Sequence, residues 1–294
     1  MIGMDYQDAR KTFRNLSRQL ANYIRDEGLK SMVLGVSGGI DSALVAAIAN
    51  RVAYISNGDI LVYGRSISIE SNTPEEEDRA RQIGNSFCHE FKELNLTKLF
   101  WQIIEEKTKD DPSIMDDTKQ AKIRRGNIKA RMRMIELYDI AQANKGLVLS
   151  TDNYTEFLLG FWTLHGDVGD FGPLQELWKT EVYQIAEGIA NTFTEAEGVF
   201  TKKQIEAIQS CIEANPTDGL GIGDGDLSQI LGENCPAAHR EGYALVDTVL
   251  RDYLVNGNTF ACKKVIQRHT ATHYKRNNPI NIIRRIALHD TNIK

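Results

Sequence analysis

The chain lacks the marks of several protein classes. Its 294 residues hold only four cysteines, Cys88, Cys211, Cys235 and Cys262, with no C-x-x-C pair. That argues against a disulfide framework or a zinc ribbon and fits a reducing, cytoplasmic setting. No apolar stretch is long enough to span a bilayer. The start, Met1 to Asn15, is charged and has no signal-peptide core. Basic residues are not in excess: a net charge of −5 offers no global field for nucleic acid. Repeats, low-complexity tracts and composition breaks are missing too. What is present, 41% hydrophobic and 26% charged residues, suits a globular protein with ample core. We expect one compact domain over residues 1–294, with neither a membrane nor a nucleic-acid partner.

The hydrophobic pattern alternates between strand and helix. Asp5 to Asp26 reads as an amphipathic helix, with Phe13, Leu16, Leu20, Tyr23 and Ile24 at three- and four-residue steps. Met32 to Val36, Ile60 to Ile69, Phe91 to Leu96 and Leu147 to Ser150 read as strands. Between them lie helical stretches, Ser42 to Val52, Pro74 to Phe87, Thr97 to Lys107 and Lys119 to Ala143. Thr73 and Pro74 with the acids after them form a helix start. Lys109 to Asp117 is charged, contains Pro112 and reads as a mobile loop. This order predicts an α/β fold, a parallel sheet covered by helices on both faces. After Thr151 the strands give out. Tyr154 to Leu164, Leu177 to Ala190, Lys202 to Ile212, Glu241 to Leu254 and Phe260 to Arg268 read as helices, and Asn215 to Asp226 as a Gly- and Asp-rich loop.

The first strand runs into Ser37-Gly38-Gly39-Ile40-Asp41-Ser42 and then into a helix. A loop of this kind is an anion site. Unpaired backbone N–H groups at the helix start face the ligand, and the helix dipole favours negative charge. Glycines let the backbone come close, and Ser37 and Ser42 add hydroxyl donors. Asp41 conflicts with a phosphate unless a cation lies between them, and Mg²⁺ takes carboxylate and phosphate oxygens together. No lysine follows the glycines, and the spacing is not G-x-G-x-x-G, so neither common nucleotide loop applies.

The loop resembles the S-G-G-x-D-S loop of the N-type ATP pyrophosphatases, which attach AMP to a substrate oxygen and expel pyrophosphate. That resemblance implies an adenine nucleotide alpha hydrolase-like, Rossmann-like fold, with ATP held by Ser37, Gly38, Gly39, Asp41 and Ser42. Further segments resemble the NAD synthetases of this family, in their order and across nearly the whole chain. Gly126 to Met134, "GNIKARMRM", is by physics a helix with basic residues, Lys129 and Arg133 one turn apart and Arg131 offset. It is similar to the family's G-N-x-K-A-R-x-R-M segment, which implies substrate binding by Asn127, Lys129 and Arg131 and a dimer interface along Lys119 to Ala143. Ser150 to Leu174 resembles the T-D-x-x-E…G-[FY]-x-T-x-x-G-D segment. Thr151 would then lie near ATP, Glu156 would join Asp41 on the metal, and Asp167 and Asp170 would sit at the substrate end. Leu177 to Val182 resembles L-T-K-x-[EQ]-V and gives Lys179 a place on the ATP phosphates. Asn215 to Thr217 resembles the P-[ST]-A-[DE]-L loop, with Thr217 on the phosphates. Thr270 to Pro279 resembles [HY]-K-R-x-x-P, with Lys275 closing over the nucleotides.

The resemblance implies ATP-dependent amidation of nicotinic acid adenine dinucleotide by ammonia to NAD, through an acyl-adenylate. It casts Asp41, Lys179 and Asp167 in catalytic roles, with Mg²⁺ on Asp41 and Glu156, and a homodimer. All the length is used by the synthetase pattern, so we expect no glutaminase domain and direct use of ammonia. The sequence departs from the pattern at the acceptor end. One residue fewer than usual separates Asp167 from Asp170, His165 replaces a common tyrosine, and "DGLGIGDGDLSQILG" follows Thr217. Two alternatives therefore stay open: the same chemistry on a different carboxylate, and a nucleotide-binding protein of this fold without turnover. The latter predicts erosion of Asp41, Glu156 or Lys179, and all three are present.

Overall fold

The computed structural model describes residues 4–70, 72–192, 200–215, 225–232, 239–259 and 262–278. Four parallel strands form its sheet: β1 (Ser31–Gly35), β2 (Leu61–Ser68), β3 (Glu90–Asn95) and β4 (Gly146–Val148), in the order β3-β2-β1-β4. Alternate residues of β1 face opposite ways. Met32 and Leu34 pack with helices α1 (Tyr6–Asp26), α2 (Ile40–Ile55), α7 (Lys179–Thr192) and α8 (Lys202–Glu213). Val33 packs on the other face with α4 (Thr97–Asp110) and α5 (Lys119–Ala143). The expected α/β fold with both faces covered is what is found. β3, at the edge, carries Glu90, Lys92 and Glu93 beside the core-packed Phe91 and Leu94, charge of the kind that keeps an open edge from pairing with another chain. In α2, Ala43, Ala46, Ala47 and Ala49 are fully buried. Their small size lets the helix lie close on the sheet, and an apolar surface all round is what a helix inside a core needs.

The remaining helices are α3 (Pro74–Phe87), α6 (Tyr154–Leu159), α9 (Asp226–Leu231), α10 (His239–Asn256) and α11 (Lys263–Ala271). α3 begins with the expected Thr73 cap, here a full capping box with Glu76. Two expectations need correction. The charged Lys109 to Asp117 stretch is not a mobile loop. α4 runs on to Asp110, and Pro112–Met115 forms a 3₁₀ turn whose Ile114 is buried. Asp111 accepts hydrogen bonds from the Ser113 backbone and hydroxyl and pairs with Arg124 at 2.8 Å. The helix expected over Tyr154 to Leu164 stops at Leu159, because Gly160 takes the left-handed conformation (φ +65°) that ends it. Most of the Asn215 to Asp226 loop lies outside the described residues; Asp226 itself opens α9. Cys88, Cys211 and Cys262 are free thiols, and burial pushes Cys88 up to about 12. Among the described residues, no helix is long and apolar enough to cross a membrane.

The topology locates the site. β1 has β2 on one side and β4 on the other, so the chain leaves the sheet in opposite senses beyond the two central strands. Open parallel sheets bind ligands at such a divergence, beyond the carboxyl ends of the strands. The glycine loop follows β1, and the Ser150 to Asn153 segment follows β4.

Candidate active site

A cavity of about 690 Å³ opens at that point. Ser37, Gly38, Gly39, Asp41 and Ser42 of the loop line it, together with Thr151, Glu156 and Lys179 and with Asn127, Asp167 and Lys275. The structure thus gathers eleven predicted site residues from six parts of the chain.

The loop is built around its own hydroxyls. Ser42 Oγ donates to the Gly39 carbonyl at 3.0 Å and accepts from Ser37 N at 3.2 Å, and Gly39 N donates to Ser37 Oγ at 3.2 Å. Gly39 is the N-cap of α2 and supplies no side chain to its first N–H groups, which leaves them for an anion. Gly38 is left-handed (φ +81°), and a Cβ there would overlap the Glu76 carbonyl oxygen. Arg79 of α3 donates from Nε to the Gly38 carbonyl at 3.1 Å.

Beside the loop, Lys179 is 3% exposed and its ammonium bridges two carboxylates, Asp41 and, at 3.2 Å, Glu156. Asp41 and Glu156 hold Lys179 protonated well above the ordinary lysine range, against burial, which pulls the other way. Burial raises Glu156, with Asp41 acting the same way and Lys179 opposing it. Asn153 connects the acids. Its amide donates to Asp41 Oδ1 at 2.9 Å, and it forms a capping box with Glu156 at the start of α6. Two hard carboxylates converging on one cation, beside the glycine loop, fit the donor set of Mg²⁺, which binds through one or two carboxylates together with substrate phosphates. Among the described residues, no cluster of three or more His, Cys, Asp or Glu offers a metal cage of its own.

Thr163 joins two further lining residues: Asp167 accepts from Thr163 N at 2.7 Å, and Asn127 accepts from the Thr163 hydroxyl at 2.9 Å. Burial raises the Asp167 carboxyl, with Arg133 and Lys275 pulling it down. Lys275 donates to the carbonyls of Gly160, at 2.7 Å, and of Trp162. It stands where this cavity meets a second one of about 740 Å³, lined by Arg131, Tyr138, Trp162 and His165 among others.

Three predicted residues lie elsewhere. α5 presents Gln120, Ile123, Asn127, Met134 and Leu137 to the cavity, a three-four stripe. Lys129, two residues from Asn127, falls on the opposite side of the helix. It is 4% exposed, pairs with Glu70 at 3.2 Å and lies over the Phe100 ring. Arg131 points outward, donating to the Leu164 carbonyl at 2.8 Å on the second cavity. Arg133, given no role above, is the basic residue of this segment that lines the main cavity, where its charge faces Asp167 and Glu76. Asp170 is engaged at the sheet: it accepts from Val148 N and from the Tyr138 hydroxyl, each at 2.9 Å. Thr217 lies outside the described residues.

Sequence reasoning passed over Asn153, Arg79 and Tyr243. The first had a signal, because Asn153-x-x-Glu156 is a capping box on sight. Arg79 and Tyr243 had none, since each reaches the site from a helix whose packing partner the sequence does not name.

Asp170 gives a direct test of the altered spacing. Asp170→Ala leaves the buried Val148 N–H without its carboxylate partner, a loss of about 1–3 kcal/mol. Thermal unfolding should show that loss, while the acceptor KM stays within roughly twofold of the parent. A raised KM with unchanged stability would return Asp170 to the acceptor site.

Comparison with known proteins supplies the family. The family model described as NAD synthase matches residues 12–279. The chain belongs to this family, and with it to the carbon–nitrogen ligases. Its relative from Thermoplasma acidophilum, an NH(3)-dependent NAD(+) synthetase, is 29% identical over 261 residues, covering 86% of this chain and 90% of the relative. The solved NAD+ synthetase from Burkholderia pseudomallei superposes with a TM-score of 0.61 at 25% identity, over 92% of this chain and 91% of that one. The NMN synthetase from Francisella tularensis has the same fold, with a TM-score of 0.70 at 20% identity over 93% of this chain and 98% of that one.

Proposed function

We propose that the protein joins ammonia to the nicotinate carboxylate of nicotinic acid adenine dinucleotide, with ATP converted to AMP and pyrophosphate. The observation that carries this reading is that the glycine loop, Asp41, Glu156 and Lys179 line one cavity together with Asn127, Arg133, Asp167 and Lys275. A carboxylate is a poor acyl donor because oxide leaves badly. Attack on the α-phosphorus of ATP converts that oxygen into part of AMP, a good leaving group. Ammonia then displaces AMP. The first step brings two anions together and needs positive charge fixed in advance. Lys179 and the N–H groups at the start of α2 supply it, and Ser37 and Ser42 orient the pyrophosphate. Asp41 and Glu156 would hold Mg²⁺, which supplies further charge neutralisation when bound. Asp167, raised by burial, is a stronger base than an exposed carboxylate, and we assign it the proton of the incoming amine.

The acceptor's nucleotide extends into the second cavity, past Lys275 and Trp162. That cavity opens on the outer face of α5, where Ile135 is 72% and Tyr138 40% exposed. An apolar, exposed helix face beside an open site is suited to cover by a second copy, and we assign the homodimer contact there. Ammonia is the nitrogen donor taken directly.

The test is an assay of NAD, AMP and pyrophosphate from ATP, Mg²⁺ and nicotinic acid adenine dinucleotide, with ammonium or glutamine as nitrogen source. NAD from ammonium and not from glutamine is expected. A second carboxylate acceptor, nicotinic acid mononucleotide, is run beside it. Amidation of the mononucleotide alone would keep the chemistry and move the substrate. ATP binding without turnover on any carboxylate would overturn the reading.

A further inference from the structure

α10 grips the first turn of α7 at three points spaced four residues apart. The Tyr243 ring lies 5.2 Å from the Lys179 ammonium. Arg251 pairs with Glu181 at 2.8 Å and lies over the Trp178 ring. Asp247, between them, is 2% exposed. Its Oδ2 accepts from the backbone N–H of Thr180 at 3.0 Å and from the Thr180 hydroxyl at 2.8 Å. Its Oδ1 accepts from the Thr155 hydroxyl at 2.6 Å, and that hydroxyl oxygen in turn accepts from the Lys179 N–H at 2.9 Å. Thr155 is the residue before Glu156. One buried carboxylate therefore ties the backbone of the bridging lysine to the short helix that carries the acid it bridges.

We propose that Asp247 is a positioning residue: it sets the Lys179 ammonium against Glu156 and Asp41 by holding the starts of α6 and α7 together. This rests on the reading of Lys179 as the cation on the ATP phosphates. A buried ion placed by a long side chain is only as well aimed as the backbone that bears it, and an error of one ångström at a reacting centre costs on the order of a hundredfold. The carboxylate takes all three donors as they stand. In Asp247→Asn the amide oxygen can stay on Thr180, but the Thr155 hydroxyl must then turn to accept from the amide N–H, which weakens the short link to α6.

The experiment compares the parent, Asp247→Asn, Lys179→Met and the double variant, at saturating Mg²⁺. Melting temperature, ATP affinity by calorimetry, kcat and the acceptor KM are measured. We expect Asp247→Asn to lower kcat and ATP affinity by roughly tenfold or more, with the acceptor KM unchanged. In the Lys179→Met background the same change should cost no further ATP affinity. A lowered melting temperature with kcat and ATP affinity intact would reduce Asp247 to a structural cap and overturn the proposal. So would a full, additive loss in the double variant. Lys179→Met binding ATP and turning over like the parent would instead refute the role of Lys179, a separate failure. Should Asp247→Asn not fold, Thr155→Val removes the hydroxyl link alone and must reproduce the same split.

Discussion

Asp41→Asn should abolish magnesium-dependent pyrophosphate release, with kcat falling by roughly a hundredfold or more. The substitution keeps shape and removes charge. Asp41 stands beside the glycine loop in the first turn of α2, with its side chain 16% exposed, and takes one hydrogen bond from Asn153 and an ion pair from Lys179. An amide at this place is a poor Mg²⁺ ligand and leaves Glu156 as the remaining acid. Stability falls less than activity. Removing one partner of a buried pair strands the other charge, which costs about 3–5 kcal/mol when nothing else is near. Here Glu156 still pairs with Lys179, so about 1–2 kcal/mol is expected, a few degrees in melting temperature for a chain of this size. Circular dichroism melts and a coupled pyrophosphate assay over a Mg²⁺ series check both halves. Full activity at ordinary Mg²⁺ would remove the metal from Asp41.

The parts legible in the sequence were those fixed by local rules. The period of Phe13, Leu20 and Ile24 marks α1 within one residue of its observed start. The glycine loop is legible because the turn needs glycine at Gly38 and the helix start needs an uncapped N–H row. What escaped depends on a partner far away in the chain. In the basic segment of α5 the sequence shows several cations and not which face of the helix meets the cavity. Packing against Glu70 and Phe100 took Lys129 away and left Arg133. Asp170 read as a substrate acid, yet a carboxylate beside an unpaired strand N–H is drawn to it, and Val148 provides one. Asp247 gave no sign at all. It sits in an ordinary helix with Val246 and Leu250, and its meaning lies in the two helix starts it receives.

The second large effect is expected at the glycine pair, where two similar substitutions should separate cleanly. Gly38→Ala places a Cβ at φ +81°, which costs about 1–2 kcal/mol for an L residue. The new atom also overlaps the Glu76 carbonyl oxygen and comes within 3.1 Å of Ala80 N. Those are backbone atoms of α3, anchored by the Thr73–Glu76 capping box, and they cannot swing aside as a side chain could. The loop must move, and Arg79 loses its hold on the Gly38 carbonyl. Gly39 differs. Its φ of −88° suits any residue, and a Cβ there meets only Ser37 Oγ at 3.4 Å, an ordinary contact. Gly39→Ala should melt close to the parent. It should still raise the KM for ATP, on the order of tenfold, because the methyl occupies the approach to the first N–H groups of α2. Gly38→Ala should lose both, several degrees of melting temperature and at least as much ATP affinity. Melting curves and ATP titrations on the two variants decide it. A Gly39→Ala variant with normal ATP affinity would mean that the phosphates do not rest on the start of α2, and the loop's part in catalysis would have to be reassigned.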